Sequence, residues 1–343
     1  MMLISDVFQL TLEYLDVRDI ALSNRLYKVL IRELNGYIEG HKILHLLAKR
    51  LVIGHVRICK ESVYGKAIGF YKGITIGKET RGLQQYSIVA KDFKELCIHD
   101  VTEVFNKSFI ELYPKSPLIL FDAILWELHS NAEKKNALKQ LLLSLNVVRR
   151  YLTDLSMSIA SPSIEIKMFL KTFKNRITIT NWTHIAQAKR GSIVVLDPYA
   201  DRALTESEVI NADVFVLGLL VDNKFPRPFA TYAVSLLRNL EDCERRAIVY
   251  KGHVIGVPRE INKIVEILMR ARFEGVSIDT AVENAMGVDD KINRVIYEAM
   301  KYCRADKAID KNAVKSLMKE FGLDERYYGK VLFRLKRFSC WRE

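Results

Sequence analysis

The chain has 343 residues and a mass of 39.5 kDa, 49% of it apolar, and its 53 Lys and Arg outnumber 41 Asp and Glu to give a formal net charge of +12. That apolar share excludes wholesale disorder, and the length allows two or three domains, each burying its own core. A pI near 9.3 sets up a field that attracts a polyanion, with nucleic acid the leading class of partner.

The N-terminus carries Asp6, Glu13 and Asp16 where a signal peptide requires an uncharged core, and no uncharged run reaches the roughly 18 residues of a membrane span. A soluble cytoplasmic protein without membrane association is expected. Residues 1 to 50 show helical spacing, with Leu22, Leu26, Val29 and Leu30 on one side and Arg25, Lys28 and Arg32 on the other. From 51 to 101 the pattern changes to short β-like runs broken by Gly65, Gly69, Gly73 and Gly77, which predicts a small α+β domain over 1–114. This stretch interleaves Arg57, Lys60, Lys66, Lys72, Lys78 and Arg81 with Tyr64, Phe70, Tyr71 and Tyr86. Such a mixture suits RNA contact, where phosphates are neutralised and bases stack, and equally suits solvated lysines over core aromatics. Gly73-Ile-Thr-Ile-Gly77-Lys78-Glu79 lacks the four-residue spacing and the following Ser or Thr of a phosphate-binding loop.

Two prolines in Tyr113-Pro-Lys-Ser-Pro117 mark a domain boundary. Leu118-Ile-Leu-Phe-Asp122 then reads as a strand ending in a carboxylate, and 130–145 as an amphipathic helix leading into Val147-Val-Arg149-Arg150-Tyr151. Helical patterning spans 164–173. Short strands are expected at 177–180, at 192–198 and at 246–250, and Pro258 suits the first turn of a helix running to 273. The apolar run 214–221 predicts a central strand with Asp222 at its carboxyl end, where open α/β sheets place ligands. An Asp in that position also serves as a simple turn cap. Strands alternating with helices define a doubly wound α/β domain over 115–275, and no Gly-x-Gly-x-x-Gly follows any strand to make it a dinucleotide fold. Residues 276–343 form a basic helical C-terminal domain. Between Arg326 and Arg342 lie six basic residues and no acid, with Lys330, Arg334 and Arg337 in one helical stripe, either a nucleic-acid contact or a solvated face. The five cysteines are scattered and include no Cys-x-x-Cys, so neither a zinc site nor a disulfide framework is expected.

Taken together, Pro117-Leu-Ile-Leu-Phe-Asp122, Trp126-Glu-Leu-His129, Glu133-Lys-Lys135, Gln140, Val147-Val-Arg-Arg-Tyr-Leu152, Val195-Leu-Asp-Pro198, Val-Leu-Gly-Leu-Leu-Val-Asp222 and Gly256-Val-Pro-Arg-Glu-Ile-Asn-Lys263 resemble the archaeal tRNA purine-9 N1-methyltransferases of the SPOUT superfamily. The resemblance covers about 115–275 and rests on several spaced motifs in the right order. It implies a SPOUT-type trefoil-knot methyltransferase domain that binds S-adenosyl-L-methionine, flanked by the α+β and helical domains and acting on tRNA as a monomer without metal. Periodicity alone would never indicate a knot, against which base rates argue. The resemblance makes Asp222 the candidate general base, with Asp122 and Asp197 as secondary catalytic candidates. It places Leu196, Gly218, Ile255, Gly256 and Val257 around the cofactor, and Gln140, Arg149 and Arg150 on the tRNA side. One departure stands out: Leu219 follows Gly218 where the family has a second glycine. Alternatives are a SPOUT RNA methyltransferase with another target nucleotide, and a noncatalytic RNA-binding protein that keeps the fold.

Overall fold

In the computed structural model, which describes residues 2–180, 182, 192–222, 227–304 and 310–336, the chain folds as two units. The first contains residues 1–118 and 148–180, the second 119–147 and 181–343. In the first, β1 (Asp19–Leu22), β2 (Val56–Tyr71), β3 (Ile74–Glu79) and β4 (Gln84–Asp92) close into a barrel in the order β1-β3-β2-β4. Closure is possible because the short β1 runs parallel to both β3 and β4 while β2 pairs antiparallel with both. Leu22 ends β1 and does not belong to the following helix, Asn24–Glu33. Ser23 separates the two by accepting the Leu26 N–H at 3.2 Å, an N-cap that starts the helix one residue after the strand. The aromatics divide by burial. Tyr86 is wholly buried in the barrel, lying so close to Gly77 that any side chain there would collide with its ring, whereas Tyr64 and Phe70 are exposed. The glycine-lysine stretch at 73–78 is thus a turn and a barrel strand.

Contrary to the expectation from cysteine spacing, Cys59 and Cys97 form a disulfide, with Cα atoms 5.7 Å apart. Cys59 lies on β2, whose residues 58–60 are hydrogen-bonded to the 99–101 segment, and this long-range pairing brings the two sulfurs together. Closing a loop of 38 residues restricts the unfolded chain by about 4 kcal/mol in chain-entropy terms. A Glu61 carboxylate oxygen lies within 4.8 Å of both sulfurs, and the carboxylate accepts the Ile98 N–H at 2.8 Å and pairs with Lys91. The first unit also contains β6 (Met157–Ala160) and β7 (Thr178–Thr180), a parallel pair linked through helix Ile164–Lys171.

The second unit is built on parallel strands. β5 (Leu118–Asp122), β8 (Ile193–Leu196), β9 (Val214–Gly218) and β10 (Glu244–Arg246) follow the order β10-β8-β9-β5. Pairing of β8 with both β9 and β10 is parallel. All four residues of β8 and the first four of β9 are buried, as their unbroken apolar runs require. Two strands differ from expectation. β9 stops at Gly218, because the Leu219 N–H turns to the Asp122 carbonyl at 2.8 Å and the Val221 N–H to the His129 ring. Leu219 and Val221 remain buried, so the apolar run reports burial beyond the end of strand pairing. β10 lies at 244–246 and not at 246–250; its arginines are tolerated because Arg246 pairs with Glu208 at 2.6 Å and Arg245 lies 3.4 Å from Asp197. Four helices, Ile278–Ala285, Val288–Arg304, Lys311–Glu320 and Tyr328–Leu335, complete this unit. Among the described residues no helix is long and apolar enough to cross a membrane.

Candidate active site at the carboxyl edge of the sheet

Because the strands of the second unit run parallel, their carboxyl ends share one edge, and the Leu219 N–H to Asp122 carbonyl bond ties the ends of β9 and β5 together there. Asp122, Leu196 with Asp197, and Gly218 therefore align along that edge. Ile255, Gly256 and Val257 follow from the turn after β10. This is the position at which an open α/β sheet binds ligands.

The three aspartates sit in different surroundings. Asp222 lies four residues beyond the end of β9, and its side chain is 36% exposed. Both of its carboxylate oxygens are occupied: Oδ2 accepts the Arg227 N–H at 2.8 Å and Oδ1 accepts from Arg227 Nη1 at 2.7 Å. Arg227 also donates to buried Glu133 at 3.1 Å and to the Leu128 carbonyl at 2.6 Å. Glu133 and then Asp222 raise the pKa of this guanidinium above its ordinary value. Behind the turn, His129 donates from Nδ1 to the Trp126 carbonyl and accepts the Val221 N–H at Nε2, both at 3.0 Å. Burial pushes the pKa of this imidazole down, which keeps Nε2 unprotonated and able to accept.

Asp122 is fully buried. It accepts the Ile124 N–H at 2.9 Å and two bonds from Arg238, at 2.7 and 3.1 Å, and this guanidinium lies 5.3 Å from the Trp182 ring centroid. Its contacts hold β5 to the segment after helix Ala230–Leu237. Asp197 is also buried. Oδ1 takes the Tyr199 N–H at 2.9 Å, while Oδ2 accepts no hydrogen bond among the described residues and has Arg245 Nε at 3.4 Å.

At the cofactor positions the backbone is bare. Gly256 has φ +94° and packs against the stem of Arg294, and a Cβ at Gly218 would come 3.0 Å from the Leu220 side chain. Leu196 is buried, whereas Ile255 is exposed.

The residues expected on the RNA side do not behave alike. Gln140 is buried, and its Oε1 accepts the Ile261 N–H at 2.7 Å, satisfying the start of helix Ile261–Phe273. Its amide oxygen is thus engaged within the protein. Arg149 makes a two-point bond to Asp154 at 2.6 and 2.7 Å and reaches the Lys174 carbonyl. Arg150 is exposed at the end of helix Asn131–Tyr151. The C-terminal stripe, free of acids in sequence, is closed by an acid in space: Asp289 pairs with Lys330 at 2.8 Å and with Arg334 at 3.2 Å, and Arg334 also bonds Asn293. Arg337 lies outside the described residues, as do 223–226 beside Asp222.

Arg227, Arg238 and Arg294 were not singled out from the sequence. Each acts on a partner distant along the chain or on backbone carbonyls, and neither kind of interaction leaves a mark in local spacing. Arg227, five residues after Asp222 between two prolines, was the most accessible of the three.

The fold agrees with solved methyltransferase structures. Trm10 of Sulfolobus acidocaldarius in complex with S-adenosylhomocysteine superposes with a TM-score of 0.66 at 20% identity, covering 98% of this chain and all of that one. A second structure of the same protein gives 0.56 at 22% identity over 82% of this chain. The chain thus has the Trm10 fold. No family model matches the chain. The sequence is 30% identical over 267 residues to the tRNA (adenine(9)-N1)-methyltransferase of S. acidocaldarius, spanning 77% of this chain and 83% of the relative. To the tRNA (guanine(9)-/adenine(9)-N1)-methyltransferase of Thermococcus kodakarensis it is 29% identical over 199 residues, 55% of this chain and 53% of the other. The chain belongs to the tRNA purine-9 N1-methyltransferase (Trm10) family.

Proposed function

We propose that this chain methylates ring nitrogen N1 of the purine at position 9 of tRNA, using S-adenosyl-L-methionine, with adenine as its principal target. The observation that carries the reading is the shared carboxyl edge of β5, β8, β9 and β10, in a chain related over most of its length to an enzyme named for this reaction. The edge fits a ligand gripped by backbone: Gly256, at φ +94°, gives the turn a conformation that side chains rarely allow, and Leu196 closes β8 on the same edge. When bound, the cofactor supplies an electrophilic sulfonium methyl group. The protein's task is to turn the base out of its stack and hold N1 in line with that methyl, so positioning accounts for much of the rate.

Asp222 supports adenine in particular. Each oxygen already accepts one bond from Arg227, which fixes the carboxylate in the turn and leaves one lone pair on each. Guanine N1 carries a proton that a base must remove, whereas adenine N1 offers a lone pair and becomes cationic on methylation. A fixed anion stabilises that developing charge without moving a proton.

In this reading residues 115–275 perform the chemistry, with the knotted topology of the SPOUT class, and 1–114 and 276–343 contact tRNA. On β2, Lys60, Ser62, Tyr64 and Lys66 alternate outward and are exposed, with Lys78 opposite Lys66 on β3. Neither Lys60 nor Lys66 makes an ion pair among the described residues. A Lys60→Ala/Lys66→Ala variant is expected to bind tRNA more weakly, with S-adenosylhomocysteine affinity unchanged. The salt slope of its tRNA binding should fall by roughly one unit for each phosphate that a lysine no longer neutralises. Unaltered tRNA affinity and slope would make these lysines ordinary solvated residues.

The enzyme is expected to be cytoplasmic, a single chain by sedimentation, and fully active in chelator. The deciding experiment is nucleoside mass spectrometry of position-9 adenine and guanine tRNAs incubated with protein and cofactor. N1-methyladenine is the expected product. No methylation, together with no calorimetric signal from millimolar S-adenosylhomocysteine, would leave a noncatalytic RNA-binding protein.

A further inference from the structure

Helix Val288–Arg304 lies outside the motifs that mark the methyltransferase, yet it reaches the turn after β10 with Arg294 and with Tyr297, whose hydroxyl bonds His253 Nδ1 at 2.8 Å. Arg294 is 1% exposed. Its Nη1 donates to the carbonyls of Tyr250 at 2.5 Å and Ile255 at 3.0 Å, and its Nη2 to that of Lys251 at 3.3 Å. Glu298, one turn along the helix, pairs with Nη2 at 2.7 Å. The guanidinium lies 4.9 Å from the Tyr250 ring centroid. The side-chain stem runs under Gly256, where an added Cβ would sit 3.0 Å from Arg294 Cβ and 3.3 Å from its Cδ.

One buried cation thus grips both ends of the 250–255 turn, which doubles back through reciprocal Tyr250–His253 backbone bonds, and supports the left-handed glycine that follows. Three backbone carbonyls of the turn accept from a single planar fork, a geometry that lysine cannot reproduce. The fork and stem of Arg294 reach as far as Ile255 and Gly256, which belong to the proposed cofactor turn.

We propose that Arg294 is a positioning residue for the cofactor: it holds the turn in the shape that lets Ile255, Gly256 and Val257 enclose S-adenosylmethionine, so the C-terminal helical segment preorganises the methyl-donor site. This rests on the reading of the chain as a methyltransferase. A preformed turn spares the ligand the cost of ordering it, so the effect should fall on cofactor affinity.

The test compares wild type, Arg294→Lys and Gly256→Ala as full-length proteins. S-adenosylhomocysteine affinity is measured by calorimetry, tRNA affinity by filter binding, and the folded state by thermal unfolding. Both variants are expected to bind S-adenosylhomocysteine on the order of ten- to a hundredfold more weakly, the factor associated with one or two charge-assisted hydrogen bonds. The cofactor KM should rise with kcat at saturating cofactor little changed, and tRNA affinity should match wild type. If Arg294→Lys proves largely unfolded, Arg294→Gln, which keeps an N–H donor for the turn but not the fork, carries the test, because Gly256→Ala strains the cofactor turn whatever Arg294 does. Equal affinities in wild type and a folded variant would overturn the inference, as would parallel losses in cofactor affinity, tRNA affinity and kcat, which mark a purely structural role. Failure of wild type itself to bind S-adenosylhomocysteine would instead defeat the methyltransferase reading.

Discussion

Asp222→Asn is expected to slow single-turnover methylation of a guanine-9 tRNA by on the order of a hundredfold or more, and of an adenine-9 tRNA by less than about tenfold. The amide is nearly isosteric and keeps an oxygen for one of the two bonds from Arg227, so the turn after β9 should persist. What it removes is the anion. For guanine a base must take the N1 proton, and without the anion the turn offers no carboxylate to receive it. For adenine no proton leaves N1, and the loss is one of charge stabilisation at a partly exposed group. Wild-type rates on both purines in Asp222→Asn, with S-adenosylhomocysteine binding intact, would remove Asp222 from the reaction and turn attention to Asp197, whose Oδ2 is buried without a hydrogen bond among the described residues.

Arg238→Ala should destabilise the second unit by about 3–5 kcal/mol, because it leaves the Asp122 carboxylate buried and deprived of its counter-ion. The Ile124 N–H alone cannot replace two guanidinium bonds. Removing both partners should cost less than the sum of the single losses, since Arg238→Ala/Asp122→Ala strands no charge. Denaturant unfolding of the four proteins of this cycle measures the coupling. A stable Arg238→Ala protein whose methylation rate nevertheless collapses would restore Asp122 to the reacting centre; additive losses with no coupling would show the pair to be incidental.

These expectations depend on surroundings that the sequence discloses unevenly. Asp122, Asp197 and Asp222 were all legible as carboxylates at or near strand ends, because an apolar run closed by an acid is a local pattern. Their different states were not. Asp122 is neutralised by a residue 116 positions away, Asp197 is buried beside Arg245, and Asp222 is gripped by Arg227, which is itself anchored 94 positions back on Glu133. Gln140 shows the same limit from the other side, since its place on an amphipathic helix gave no sign that its amide would satisfy the first N–H of a helix 121 residues further on. In the C-terminal stripe, Lys330 and Arg334 had no acid nearby in sequence but meet Asp289 through helix packing.

By itself, then, the sequence determined the properties that depend on local order: parallel apolar strands alternating with helices, the carboxylates that close them, the glycine at 256, the basic charge, and the spaced motifs that mark the family. Tertiary structure alone decided where β9 stops pairing, that Cys59 meets Cys97, which arginine neutralises which aspartate, and that Arg294 braces the Gly256 turn. The physical reason is one of range. Apolar periodicity is set by the repeat of a single element, whereas a charge or a carbonyl in the interior must find its partner wherever the chain returns, and that separation leaves no pattern among neighbouring residues.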